Sequence, residues 1–319
     1  MSLATSECAL IYDGSGLRLI PRSRPEAGPD QITVRVRAVG LCRTDLNVVA
    51  GRIKAKSPLI PGHEFAGTVA EVGAAVETDS AGDVVAIGDH VAINPVLPCG
   101  ECRWCDVGLP ADCQRPRFMG LDVDGACADF VAVPAAAVYR ISAALPFTVA
   151  AFAEPVAACS AVLKTGIAPN DRGLICGDNR IARLTERILI AHGFMRVSVC
   201  TIDRAAELPD DEFDFVIETE ASTSLLRQLV RLVRPRARII LKSRQHVPIA
   251  LTLAEILPKE PVLHVANYGP FAAAVALLAE RRIMVDDLIG TSYPMAEFRA
   301  AISAAGGGEA NKTFLVNEA

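Results

Sequence analysis

Over residues 31–38 the side chains alternate between apolar and polar, QITVRVRA, the period-two pattern of a strand with one face buried. Short runs of the same kind, bounded by glycine and proline, recur up to about Arg140, so the first part of the chain reads as β-rich. After Ile141 the period changes. Compact apolar runs at GLIC, RVSVC, FDFVIE and ARIILKS alternate with helix-period stretches over 181–192 and 225–233. That alternation predicts a doubly wound parallel sheet. A last passage predicts a strand at 262–265, helices over 272–282 and 295–305, and a closing strand at 313–316. The glycines at 306–308 end the second of those helices.

A length of 319 residues sets an expectation of about two domains. With 32 Lys+Arg against 37 Asp+Glu the net charge is −5, so the basic surplus of a nucleic-acid binder is missing and no nucleic-acid partner is expected. The basic run RLVRPRAR at 231–238 reads as a solvated rim at a helix end and turn. Mean hydropathy is +0.32, yet the greasiest stretch, 141–163, is interrupted by Pro146, Glu154 and Pro155. It holds no run of about 18 uncharged apolar residues, and no membrane span is expected. The opening MSLATSECALIYDG lacks a basic region followed by an apolar one, which makes a cytoplasmic location the expectation. In a reducing compartment the ten cysteines read as metal ligands where they cluster.

They cluster once. PCGECRWCDVGLPADC spaces Cys99, Cys102, Cys105 and Cys113 by three, three and eight. The short gaps turn successive thiolates toward one point and the longer loop returns the fourth. Four thiolates suit a closed tetrahedral zinc site of structural kind; the spacing also admits a redox dithiol or an iron–sulfur cluster. Elsewhere GLCRTDL carries Cys42, Thr44 and Asp45, and PGHEFAGTVAEVG carries His63 and Glu64.

Taken together, GHE with Gly67 and Gly73, CRTD, GDHV at 88–91, the lobe cysteines in order, DGACADF at 124–130, AEPVA at 153–157 and NYG at 267–269 resemble the zinc-dependent medium-chain dehydrogenase/reductase family of alcohol, sorbitol and threonine dehydrogenases. The resemblance covers nearly the whole chain. It implies an α/β fold made of a β-rich GroES-like catalytic domain (1–146 and 267–319) and a Rossmann-like nucleotide-binding domain (147–266). It also implies that Cys42, His63 and Glu64 bind a catalytic zinc beside the structural one, with Glu154 as an occasional further ligand or one acting through water. One thiolate and one carboxylate neutralise the ion, and an open position lets it acidify an alcohol. Asp45 would orient the ring of His63, and Thr44 would relay the alcohol proton. A homodimer or homotetramer and a small-molecule substrate complete the expectation.

The nucleotide half departs from the family. Where G-x-G-x-x-G is usual, this chain reads Gly177, Asp178, Asn179, Arg180, Ile181, Ala182. Asn179 puts a side chain where phosphates touch backbone, and Asp178 puts negative charge at an anion-binding helix N-terminus, both against pyrophosphate binding in the family manner. The family's acidic ribose-binding residue falls on Thr201, with Asp203 two residues late, so NAD and NADP are not distinguished; Thr201 with Arg204 equally suits a 2′-phosphate. Residues 202–212 are too few to add a helix and a strand, and are expected as a bare connection, leaving the sheet one βα unit short. Arg43, Arg180 and Arg183 are candidates to grip phosphates with side chains instead. Two functions stay open on these grounds. One is a zinc-dependent oxidoreductase on a secondary alcohol, polyol or amino-alcohol with NAD(P). The other is a non-redox zinc lyase, dehydratase or isomerase, or a substrate-binding protein, with nucleotide binding lost.

Overall fold

A computed structural model describes residues 7–244, 248–308 and 310–317. The chain divides into two units, the first comprising 1–154, 271–280 and 285–319, the second 155–270 and 281–284. The first crossing therefore falls at Glu154–Pro155, later in the chain than residue 146, and residues 267–270 stay with the second unit.

In the first unit the alternating segment becomes strand β1 (Gln31–Gly40), with Ile32, Val34 and Val36 fully buried and Arg35 exposed. It is followed by helix α1 (Arg43–Val49), β2 (Glu64–Val72), β3 (His90–Ile93), β4 (Phe130–Pro134) and β5 (Val138–Arg140). Two late strands, β11 (Ile289–Pro294) and β12 (Lys312–Val316), join the same sheet. The order is β11-β12-β1-β2-β3-β5, with β4 also paired to β1. Because β12 lies antiparallel to β1, with Phe314 opposite Gly40, the end of the chain is laid directly beside the start of α1.

Helix α2 (Ala153–Ser160) lies within an apolar helical stretch, 147–165, that is long and apolar enough to cross a membrane by length and composition. Most of it is buried inside the protein, as in the core helix of a folded domain.

The second unit holds β6 (Gly173–Cys176), α3 (Arg180–Ala191), β7 (Val197–Cys200), α4 (Ile202–Ala205), β8 (Phe213–Glu218), α5 (Thr223–Leu232), β9 (Val233–Leu241) and β10 (Val262–Val265). The strands are all parallel in the order β7-β6-β8-β9-β10. This is the strand order of a Rossmann-like sheet in which, among the described residues, no strand lies outside β7. The central strands are buried on both faces, as Phe213, Phe215, Val216 and Ile217 show, whereas Val199 on β7 and Val262 on β10 are partly exposed at the edges. Helices α3 and α5 present Ala182, Leu189, Leu225 and Leu229 to the sheet, the helical spacing read in the sequence.

Two local expectations are corrected. Residues 202–212 are not a bare connection, because the Thr201 hydroxyl caps one turn of helix, α4, within them. The arginines of 231–238 run from α5 into β9 without a separate loop: β9 begins at Val233, directly after the helix, and pairs with β8 in an irregular register between Phe213 and Phe215, with Arg236 at φ +63°. Arg231 pairs with Asp210, Arg234 with Asp214 and Arg236 with Glu260, so the run is a rim matched to local acids.

Leu229 is fully buried under α5 among Leu174, Val216 and Ile239. Leu229→Ala is expected to lower the stability of the second unit by about 2–5 kcal/mol, read by urea unfolding followed by circular dichroism. A loss below about 1 kcal/mol would contradict this packing.

Candidate metal centres

Two groups of ligand atoms converge in the first unit. Cys99, Cys102, Cys105 and Cys113 form one, with all four sulfurs within 4.8 Å of one another. Cys102 caps a short helix, Arg103–Asp106, which places Cys105 one turn away, and the loop beyond returns Cys113 so that its sulfur accepts from the Cys99 N–H at 3.2 Å. Sulfur pairs lie 3.6 and 3.9 Å apart. The edge of a tetrahedron with metal–sulfur bonds of about 2.3 Å is about 3.8 Å, so the lobe has the dimensions of a four-thiolate zinc shell. Backbone donors favour the thiolate form at two of the four sulfurs. N–H groups of Gln114 and Cys105 hold the Cys102 thiol down to about 6, and the Cys99 N–H lowers Cys113, while desolvation pushes Cys105 up to about 11.

The second group is Cys42, His63 and Glu64, whose ligand atoms also lie within 4.8 Å of one another. Sequence positions far apart are brought together by the sheet: Cys42 is the N-cap of α1, just after β1, and His63 and Glu64 stand at the start of β2, where Glu64 pairs with Gly40. Asp45 ties the two segments. Its carboxylate accepts from the Cys42 N–H at 2.9 Å and the Gly62 N–H at 3.1 Å, and Oδ1 lies 3.3 Å from His63 Nδ1. Burial opposes a charged imidazole, but this carboxylate outweighs it and raises the His63 pKa well above its ordinary range. The reciprocal attraction overcomes desolvation and lowers that of Asp45. His63 is 1% exposed, and neither ring nitrogen is in hydrogen-bonding geometry, Nδ1 facing Asp45 as an ion pair only. A buried, unpartnered ring nitrogen facing a thiol and a carboxylate fits a divalent soft-to-borderline cation such as zinc.

Lys312 is the residue that the sequence did not point to. It is 1% exposed on β12, and its ammonium forms an ion pair with Glu64 Oε2 and lies 3.5 Å from the Leu41 carbonyl. The path between β1 and β12 is open only because residue 40 is glycine: a Cβ there would stand 2.7 Å from Lys312 Cδ and 2.8 Å from Glu64 Oε2. The charge balance then closes. A Cys42 thiolate, Glu64 and Asp45 bring three negative charges, and Lys312 with a divalent ion brings three positive ones.

The remaining predicted residues are placed as follows. Thr44 is buried on α1 beside Asp45. Glu154 is buried near the start of α2 but lies outside the three-donor cluster. Arg43 is exposed at the first position of α1, and Arg180 opens α3. Gly177 has φ +139°, and Asn179 is the N-cap of α3. Arg183 lies 3.6 Å from Asp178. Thr201 and Asp203 belong to α4, where Thr201 is a helix cap. Tested against a nicotinamide dinucleotide, the turn fits at Gly177 and does not fit at Asn179, whose side chain is turned into the sheet crevice and takes the Ala182 N–H of the helix N-terminus.

In metal-free protein, Lys312→Met takes from the buried Glu64 carboxylate its ammonium partner and is expected to cost about 3–5 kcal/mol in urea unfolding. The double variant Lys312→Met/Glu64→Leu is expected to recover most of that loss. Equal losses in the single and double variants would contradict the pairing.

Comparison with known proteins agrees with the geometry. Residues 28–143 match the alcohol dehydrogenase GroES-like domain. Over 325 residues the chain is 26% identical to the starvation-sensing protein RspB of Escherichia coli, covering 92% of this chain and 94% of the relative. Over 207 residues it is 32% identical to D-altritol 5-dehydrogenase of Agrobacterium fabrum, covering 63% and 59% respectively. Among solved structures it resembles a protein of Sinorhizobium meliloti, provisionally described as a zinc-binding dehydrogenase and bound to NADP. The TM-score is 0.87 at 25% identity, over 98% of this chain and 99% of the other. The shared domain, the full-length fold and the two sets of ligand atoms converge on one conclusion: residues 28–143 are an alcohol dehydrogenase GroES-like domain, in a chain whose whole fold is similar to that of zinc-binding dehydrogenases.

Proposed function

We propose that this protein is a zinc-dependent oxidoreductase that moves a hydride between a secondary alcohol, polyol or amino-alcohol, or the corresponding ketone, and NAD(P). The observation that carries this reading is the convergence of Cys42, His63 and Glu64 beside the buried residues Thr44 and Asp45. A polyol dehydrogenase among its relatives and an NADP-bound structural neighbour support it.

When bound, zinc supplies the Lewis acidity that makes an alcohol hydroxyl easier to deprotonate, and the nicotinamide supplies the hydride partner. The chain's own residues supply the order. Asp45 holds the Cys42 and Gly62 backbones and fixes the ring plane of His63, leaving Nε2 as the free donor atom. Lys312 holds Glu64 through Oε2 and keeps its carboxylate beside Cys42 and His63, with which it would hold the ion. The Thr44 hydroxyl receives the substrate's proton and passes it outward. Glu154 acts from outside the three-donor set. The four-cysteine lobe holds the second zinc in a structural role, its closed shell leaving no place for a reactant.

The non-redox reading has one specific observation in its favour, the filled turn at Asn179. A lyase, dehydratase or isomerase using the same Lewis acid has no need of a dinucleotide.

Thr44→Val is expected to lower alcohol oxidation about 10²- to 10⁴-fold, with zinc content unchanged and with Thr44→Ser retaining most of the rate. NAD(P)H formation across a panel of secondary alcohols and polyols is the readout. No reduced nucleotide from any of them, with the zinc-loaded protein at millimolar NAD and NADP, would overturn the oxidoreductase reading in favour of the non-redox one. Zinc analysis is expected to find two ions per chain, falling to one in Cys42→Ala and in Cys113→Ala.

A further inference from the structure

In an open parallel sheet, ligands bind at the carboxyl ends of the strands where the connections leave in opposite directions. Here that point lies between β6, which continues to β7 on one side, and β8 on the other. The crevice is bridged by the protein itself. Asn179 Nδ2 donates to Thr219 Oγ1 at 3.0 Å and to Glu220 Oε1 at 2.9 Å, with the Thr219 carbonyl at 3.4 Å. Its Oδ1 accepts from the Ala182 N–H at 3.0 Å. Thr219 Oγ1 in turn donates to the Cys176 carbonyl at 2.9 Å. Asn179 is 2% exposed, so the carboxamide is buried and satisfied without any ligand.

Three features of this bridge work against a pyrophosphate. It occupies the volume beside the turn, which is drawn so close to β8 that a Cβ on Gly177 would stand 2.0 Å from Thr219 Oγ1. It consumes the Ala182 N–H, one of the first-turn donors that an anion at a helix N-terminus uses. It adds the Glu220 carboxylate to that of Asp178, while Arg183 is already engaged with Asp178. Beyond β7 no further strand widens the sheet among the described residues, so the adenosine end gains nothing in exchange.

We propose that the Asn179–Thr219–Glu220 bridge is a built-in occupant of the dinucleotide seat, and that this chain holds NAD(P) weakly because a pyrophosphate has to displace it. The proposal rests on the reading that NAD(P) is the hydride partner. Asn179 acts here as an affinity-setting residue, and its partners Thr219 and Glu220 act with it.

The test is titration of the zinc-loaded, full-length protein with NADH and with NADPH, followed by calorimetry and nicotinamide fluorescence. The natural protein is expected to bind with a dissociation constant above about 100 μM. Asn179→Gly, which keeps an acceptable helix cap, is expected to bind at least 10-fold tighter. Glu220→Ser, which leaves the turn intact and removes only the charge, is expected to tighten binding in the same direction and guards against a misfolded glycine variant. Low-micromolar binding by the natural protein, or no tightening in either variant while zinc content and circular dichroism are unchanged, overturns the proposal. Failure of the oxidoreductase reading looks different: a variant that binds NADH tightly yet oxidises no alcohol leaves the bridge standing and removes the hydride transfer.

Discussion

The first unit is organised around a set of charges that cannot be left in the interior singly. Glu64, Asp45 and Lys312 are each at most 4% exposed, and each lies within reach of another charge. A buried carboxylate without a counter-charge is strongly destabilising, so the positions of these side chains constrain the strands that carry them. Lys312 has to arrive from β12, Glu64 from β2, and residue 40 on β1 has to be glycine for the two to meet. Asp45 meanwhile fastens the start of α1 to the segment before β2. The same contacts that neutralise the interior thus hold Cys42, His63 and Glu64 within 4.8 Å of one another. Structure and candidate chemistry share one set of interactions.

The second unit shows a different balance. Its sheet and helices keep the dinucleotide-binding layout, yet the crevice at its centre is filled by hydrogen bonds among Asn179, Thr219 and Glu220. A βα turn that relies on a bound anion to satisfy its helix N-terminus is loose when empty; this one satisfies itself through an asparagine cap. Rigidity without ligand and affinity for ligand draw on the same donors, and in this chain the first has taken them.

How much was legible in the sequence follows from how far apart the interacting residues lie. The four-cysteine lobe is a local object, so its spacing alone announces a tetrahedral site. Cys42 is separated from the adjacent His63 and Glu64 by α1 and the segment after it, and no periodicity joins them; only the resemblance of CRTD and GHE to known motifs did so. Lys312 meets Glu64 across 248 residues, and a lysine opening the apolar strand KTFLV looks like a solvated strand end. Asn179 was visible as a departure from glycine, but its partners, 40 and 41 residues away, were not, so the departure read as a lost contact and not as a replacement network. Thr201, expected at a ribose, also caps α4, a local role that needs no ligand.

We propose that a divalent cation completes the charge balance among Cys42, His63, Glu64, Asp45 and Lys312. Anomalous diffraction from crystals of zinc-loaded protein, collected on both sides of the zinc absorption edge, tests it most directly. The account predicts two anomalous peaks per chain, one enclosed by the four-cysteine lobe and one bonded to Cys42 Sγ, His63 Nε2 and a Glu64 oxygen. A single peak, confined to the four-cysteine lobe at full zinc loading, would contradict it.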